Sequence, residues 1–245
     1  MILGGTSEAH TLARTVAQAG IDAIYSYAGR VAALAEQPVE VRVGGFGGVD
    51  GLRAYLRDNA ITHVVDATHP FAQQMSRNAT EACAHSDVPL IAFSRAPWRA
   101  QTGDAWRAVP DIDTAVRALE GPALHVFLAI GRQNLSSFAQ QPQHHYLLRL
   151  VDAPTTPLPL PDTSVVIARG PFSFESDRTL LADKRIDVVV SKNSGGTAAH
   201  AKLEAARALG IPVIMIARPK MPERRETHDV DEVMRWLHGE TERGV

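Results

Sequence analysis

HVVDATHPFAQQMSRNATEACAHSDVPLIAF, residues 63–93, is the stretch that decides the fold. His63 to Asp66 is a short β-branched run with no polar alternation, the stretch from near Pro70 to about His85 carries a helical pattern, and Leu90 to Phe93 is again continuously apolar. Pro70 suits the first turn of the intervening helix, because its missing N–H is one that a helix start leaves unpaired anyway. A strand that is apolar on both faces is covered on both faces, which is the mark of a parallel sheet sandwiched between helices.

The same rhythm extends in both directions. Upstream, a strand at Met1 to Leu3 turns through Gly4-Gly5 into a helix from Ser7 to Ala19 that Gly20 stops. A strand at Asp22 to Tyr27, a short helix near Val31 to Ala35, a strand at Val39 to Val43, the cluster Gly44, Gly45, Gly47, Gly48 and a helix at Val49 to Asn59 complete a first α/β half. Downstream, Arg95 to Pro110 breaks the rhythm with two tryptophans, three arginines and two prolines, and the crossing between domains is expected there. The second half restarts with a helix at Asp111 to Leu119 and strands at His125 to Ile130, His145 to Val151, Ser164 to Ala168, Asp187 to Ser191 and Val213 to Ile216. Helices are expected near Phe174 to Ala182 and at Thr197 to Leu209, with a last one at 229–238 free to dock on either domain. The expectation is two Rossmann-like or flavodoxin-like domains with mostly parallel sheets, 1–103 and 104–245, and an interdomain cleft.

Ligands of such sheets sit beyond the C-terminal ends of the strands, so the strand-to-helix turns are the candidate sites. Gly4-Gly5-Thr6-Ser7 allows close backbone approach and sets two hydroxyls beside helix-start amides, although it does not match GxGxxG. The second strand ends in Ser26-Tyr27-Ala28-Gly29-Arg30, with no acid to hold a ribose diol. Thr68, His69, Pro70 and Phe71 follow a buried strand and face the ligand side, unless Asp66 and Thr68 only cap the next helix. Gly131-Arg132 offers a forked donor for phosphate or carboxylate. Ser191-Lys192-Asn193-Ser194-Gly195-Gly196-Thr197, followed by Lys202, offers successive glycine amides, hydroxyls and lysines, a cradle for a pyrophosphate. It lacks the GK[ST] order, so ATP or GTP hydrolysis is disfavoured. Arg169-Gly170-Pro171-Phe172 adds a further arginine turn. His144-His145 lacks a third ligand and points to opposite faces of a strand, so no metal site is expected. Arg224-Arg225 reads as a solvated charge pair.

Composition narrows the classes. Over 245 residues, 45% are hydrophobic and Lys+Arg 25 against Asp+Glu 27 leaves a formal charge of -2, with no global field for nucleic acid or an anionic membrane. No apolar run approaches the roughly 20 residues of a membrane span, and MILGGTSEA is too short and glycine-rich for a signal peptide. A cytoplasmic enzyme is expected. The single cysteine, Cys83, lies in a helical pattern and reads as buried filler.

Taken together, ILGGTSEA, DATHPFA, RAPW and VVVSKNSGG followed by Lys202, Ala205-Ala206 and LGIPVIMIARP resemble the precorrin-6A reductases of cobalamin biosynthesis, over nearly the whole chain. That resemblance implies an NADPH-dependent reduction of the C18=C19 double bond of precorrin-6A to give precorrin-6B, on two Rossmann-like domains. It implies a tetrapyrrole substrate, exchange of substrate with other enzymes of the pathway, and no metal. Carried onto this chain, Gly131, Arg132, Ser191 to Thr197 and Lys202 would bind the dinucleotide. Gly4 to Ser7, Arg30, Thr68 to Phe71 and Arg95 would grip the carboxylated macrocycle; the reverse division, with dinucleotide at Gly4 to Ser7, stays open. Trp98 would cover the macrocycle or pack in a domain seam, and His69, oriented by Asp66, or water would deliver the proton. Alternatives are an NADH-dependent cobalt-precorrin-6A reductase, a two-domain nucleotide-sugar transferase and a non-catalytic dinucleotide-binding protein.

Overall fold

The computed structural model describes residues 1–28 and 35–239. They form two compact units, one of the described residues up to Ala96 and from Lys220 on, the other Pro97–Pro219. Each contains one six-stranded sheet in which every paired neighbour is parallel. Arg30 and residues 31–34 of the expected short helix lie outside the described residues.

In the first unit the strands are β1 (Ile2–Leu3), β2 (Ile24–Tyr27), β3 (Glu40–Val43), β4 (Val64–Asp66), β5 (Leu90–Phe93) and, much later in the chain, β12 (Arg225–Thr227). Helices α1 (Ser7–Gln18), α2 (Val49–Asp58), α3 (Gln73–His85) and α7 (Val230–Gly239) cover the sheet. In the second unit β6 (Trp106–Val109), β7 (His125–Ala129), β8 (His145–Leu150), β9 (Thr163–Ile167), β10 (Val188–Lys192) and β11 (Val213–Ile216) are joined by α4 (Ile112–Arg117), a 3-10 turn at Leu135–Gln140, α5 (Phe174–Asp183) and α6 (Ala201–Leu209).

The first sheet runs β3-β2-β1-β4-β5-β12 and the second β9-β8-β7-β10-β11-β6. Both are the 3-2-1-4-5-6 order of a Rossmann sheet, which settles the choice against the flavodoxin order. The sixth strands are exchanged along the chain: β6 follows β5 in sequence yet edges the second sheet, and β12 follows β11 yet edges the first. A division at residue 103 with everything later in one domain therefore gives way to a crossing at Ala96–Pro97 and a return at Pro219–Lys220.

The return has a packing cause. Arg225 to Thr227 pair with Ile91 to Phe93, and Val233 and Trp236 of α7 are buried in the core formed by Ile2, Leu12, Val16, Tyr25, Val65 and Ile91. The second core gathers Phe127, Leu147, Leu181, Val189, Leu203 and Met215. β6 was hidden from a sequence reading because Trp-Arg-Ala-Val on a sheet edge carries no apolar run. No helix among the described residues is long and apolar enough to cross a membrane.

Removing a buried tryptophan costs about 3 kcal/mol or more. Trp236→Ala is expected to lose about that much stability in the first unit, read as faster amide hydrogen exchange in β4 and β5, with protection of β10 unchanged. Equal protection in β4 and β5 would mean that α7 is not part of that core.

Candidate functional site

The order of a parallel sheet reverses where consecutive crossovers leave to opposite sides, and a crevice opens there beyond the strand ends. In the first unit this point lies between β1 and β4, and in the second between β7 and β10. Four of the strand-end turns singled out from sequence, Gly4 to Ser7, Thr68 to Phe71, Gly131-Arg132 and Ser191 to Thr197, leave those four strands. Thr6 Oγ1 donates to Ala67 O at 2.8 Å, tying the Gly4–Ser7 turn to the turn after β4. In the second unit Lys192 Nζ donates to Asn134 Oδ1 at 3.3 Å, tying the β10 turn to the β7 turn.

In the first unit Thr6 is the N-cap of α1, its side chain accepting from Ala9 N. Gly5 N donates to the Tyr25 hydroxyl at 2.9 Å. A Cβ on Gly4 would stand 2.2 Å from Tyr25 Cζ, so the turn is glycine there because a tyrosine ring lies beneath it. Burial pushes the Tyr25 phenol well above its usual range, keeping it a neutral partner. Sequence reasoning missed Tyr25.

The turn after β4 is less open than expected. Asp66 Oδ1 accepts from Thr68 N at 3.2 Å and Thr68 Oγ1 at 2.7 Å, and Oδ2 accepts from Arg224 at 2.6 Å. Asp66 therefore holds its own turn and does not orient His69, whose Nδ1 accepts from Phe71 N at 3.2 Å. Helix α3 begins at Gln73 rather than near Pro70, leaving Thr68 to Ala72 as an irregular loop with an exposed His69. Arg224 is not a solvated charge: its side chain is 11% exposed and pairs with an Asp66 that is 1% exposed. Arg95 is likewise engaged, with Glu8 at 3.2 Å.

In the second unit the β10 turn departs from expectation at its end. Helix α6 starts at Ala201, four residues after Thr197, so the glycines do not open the helix directly. Ser191 is fully buried within β10, its Oγ donating to Lys192 O at 3.2 Å. The Asn193 side chain is consumed structurally, accepting from Trp98 N at 2.8 Å and donating to Trp98 O at 2.9 Å. Arg132 reaches Asp152 O.

What the turn keeps is its backbone. Asn193 O and Ser194 O accept from Arg218, at 3.0 and 3.1 Å, and Gly196 O from Trp98 Nε1 at 2.7 Å. Ala198 O accepts from Phe172 N at 3.4 Å, and Ala199 O from Lys202 Nζ at 2.6 Å. In a trans peptide the N–H points opposite to the C=O. Pinning Ser194 O and Gly196 O thus aims the amides of Gly195 and Thr197 the other way. Among the described residues the amides of Gly195, Gly196 and Thr197 have no protein acceptor, although Gly195 is buried. Gly195 and Gly196 both take the left-handed conformation, φ 72° and 74°. Buried donors demand an acceptor, and successive amides turned to one side form an anion-binding nest. Burial also pulls the Lys192 ammonium below its usual range, at the mouth of the same turn. Among the described residues no cluster of three or more His, Cys, Asp or Glu is placed to hold a metal ion.

Trp98 and Arg218 both lie in stretches singled out from sequence, RAPW and LGIPVIMIARP. Neither has a local pattern that says which carbonyl it meets.

Breaking a buried ion pair by removing one partner costs about 3–5 kcal/mol. Arg224→Met is therefore expected to destabilise the protein by about 3 kcal/mol in urea, and Asp66→Asn in that background to recover part of the loss. A loss below about 0.5 kcal/mol would put the pair in the class of exposed ones.

The model of the family described as precorrin-6x reductase CbiJ/CobK matches residues 1–238. A curated precorrin-6A reductase of Rhodobacter capsulatus is 56% identical over 247 residues, covering 100% of this chain and 98% of the relative. One from a Sinorhizobium species is 47% identical over 97% of this chain and 93% of its own. A solved structure titled CobK precorrin-6A reductase superposes with a TM-score of 0.93 at 56% identity, covering 97% of this chain and 95% of that one.

Proposed function

This chain belongs to the precorrin-6x reductase family CbiJ/CobK, and we propose on that footing that it reduces precorrin-6A to precorrin-6B with NADPH in cobalamin biosynthesis. The C18=C19 double bond gains a hydride at one carbon and a proton at the other, and NADPH leaves as NADP⁺. The relatives named above carry the cobalt-free substrate in their names, which favours this reading over the NADH-dependent reduction of a cobalt-precorrin.

The observation that carries the assignment of sites is the set of unaccepted amides at Gly195, Gly196 and Thr197. Their geometry suits a pyrophosphate, with Gly131, Arg132, Lys192 and Ser194 around the same switch point. A bound nicotinamide supplies the hydride. The chain's own task is to fix that dinucleotide by its phosphates and to hold the macrocycle in register, since alignment of two bound reactants can supply a large share of a rate enhancement. In this reading the turns at Gly4 to Ser7 and Thr68 to Phe71 line the macrocycle, the amides at the start of α1 serving its carboxylates together with Arg30 and Arg95. Arg95 would exchange Glu8 for a substrate carboxylate. Ser191, Asn193 and Lys202 act behind the nest, as supports. Arg132 or Lys192 beside the adenine ribose favours the 2′-phosphate, and hence NADPH over NADH. His69, exposed at the loop tip, or water delivers the proton. The reaction belongs in the cytoplasm, among enzymes that supply and take up the macrocycle.

The test is turnover of precorrin-6A with NADPH against NADH, followed by nicotinamide absorbance and by a product heavier by two hydrogens. Faster turnover with NADH would reverse the cofactor preference. Gly195→Ala is expected to raise the NADPH dissociation constant about tenfold, roughly 1.4 kcal/mol, with precorrin affinity unchanged. The opposite pattern would move the dinucleotide to the first unit. Full turnover by His69→Ala would leave water as the donor.

A further inference from the structure

Behind the β10 turn lies a charged cluster that the reaction does not require. Lys202, on α6, is 5% exposed. Its ammonium donates to Ala199 O at 2.6 Å and stands 4.6 Å from the centre of the Trp98 ring. Arg149 of β8 and Asp177 of α5 face it as a buried ion pair, and Arg149 also stacks 4.0 Å over Phe172. The titratable side chains next to it are His200, just before α6, and Glu204 on it, paired with each other at 3.4 Å; the His200 ring lies 5.9 Å from Trp98. Two buried cations thus share one carboxylate, and Asp177 bonds to Arg149.

The Lys202 contacts reach two of the groups that shape the nest, Ala199 and Trp98. Trp98 is the residue whose Nε1 pins Gly196 O and whose backbone holds the Asn193 side chain. One side chain therefore grips the far end of the turn directly, at Ala199, and the near end through the ring it covers. A charged ammonium holds a tryptophan face that a neutral amine does not. It also leaves a surplus positive charge close to amides that await an anion.

We propose that Lys202 is a positioning residue whose ammonium latches Trp98 and Ala199 and so couples phosphate binding at the Gly195–Thr197 amides to uptake of a proton. This rests on the reading that those amides take the dinucleotide phosphate. Burial, and then Arg149, pull the Lys202 pKa from 10.5 down to about 7. The folded chain then holds fewer protons than the unfolded one between about pH 7 and 10.5, so through this group stability rises with pH across that window. An anion on the nest favours the ammonium and returns the proton.

The experiment is calorimetric titration of the intact protein with NADPH at about pH 8, above the 2′-phosphate's own titration near 6, in two buffers of different ionisation enthalpy. Uptake of a fraction of a proton on binding is expected, with affinity falling above pH 7. Lys202→Met should abolish the uptake and weaken binding at pH 6.5 roughly fivefold, and Lys202→Arg should restore tight binding without pH dependence. Absence of proton uptake by the wild-type chain overturns the proposal even if the methionine variant does not fold. So does uptake that survives Lys202→Met and disappears in His200→Gln. Weaker binding in Gly195→Ala with unchanged affinity and uptake in Lys202→Met overturns the latch alone. Unchanged NADPH affinity in Gly195→Ala overturns the phosphate site and the latch with it.

Discussion

Parallel pairing of a two-residue strand holds the first unit in order. Ile2 and Leu3 pair with Tyr25 and Ser26 on one side and with Val65 and Asp66 on the other. A strand that short contributes little alone; its register is set by flanking strands and by burial of both faces. Once β1 lies between β2 and β4, the turns after β1 and β4 leave from neighbouring strand ends, and the Thr6–Ala67 hydrogen bond can close across them. The second unit repeats the arrangement with β7 between β8 and β10.

Polar side chains at both switch points act mainly on the protein's own backbone. Asp66 and Arg224 hold the turn after β4, and Trp98, Asn193, Arg218 and Lys202 hold the turn after β10. The consequence is opposite in the two places. At Asp66 the side-chain bonds absorb the donors of Thr68. At Ser194 to Thr197 they absorb carbonyls, and the amides are left for something else. Preorganised donors cost no rearrangement when the ligand arrives, which suits a reaction limited by alignment.

The exchange of sixth strands links the chain ends of both sheets. Arg224 lies one residue before β12, so the partner of Asp66 arrives only after the second unit has been traversed. A contact between residues 158 apart in sequence is slow to find, because loop closure must precede it. It also explains why a buried arginine looked like a surface one. Arg224-Arg225 has no apolar neighbours in sequence, and its environment is made by residues more than a hundred positions away.

The alternation of strand and helix, the parallel character of both sheets and the strand-end glycine turns were legible in the sequence. Periodicity and turn chemistry are local, and a strand buried on both faces is apolar throughout wherever it is placed. The motifs likewise carried the family, since ILGGTSEA, DATHPFA and VVVSKNSGG stand in a fixed order. Tertiary structure alone decided the edges: which sheet β6 and β12 join, where α6 begins, and which polar groups remain open to a ligand. Edge strands carry weak patterns because one side lacks a neighbour. Whether Asn193 or Gly195 meets the ligand depends on which carbonyls Trp98 and Arg218 reach, and that is a matter of distance in space rather than of spacing along the chain.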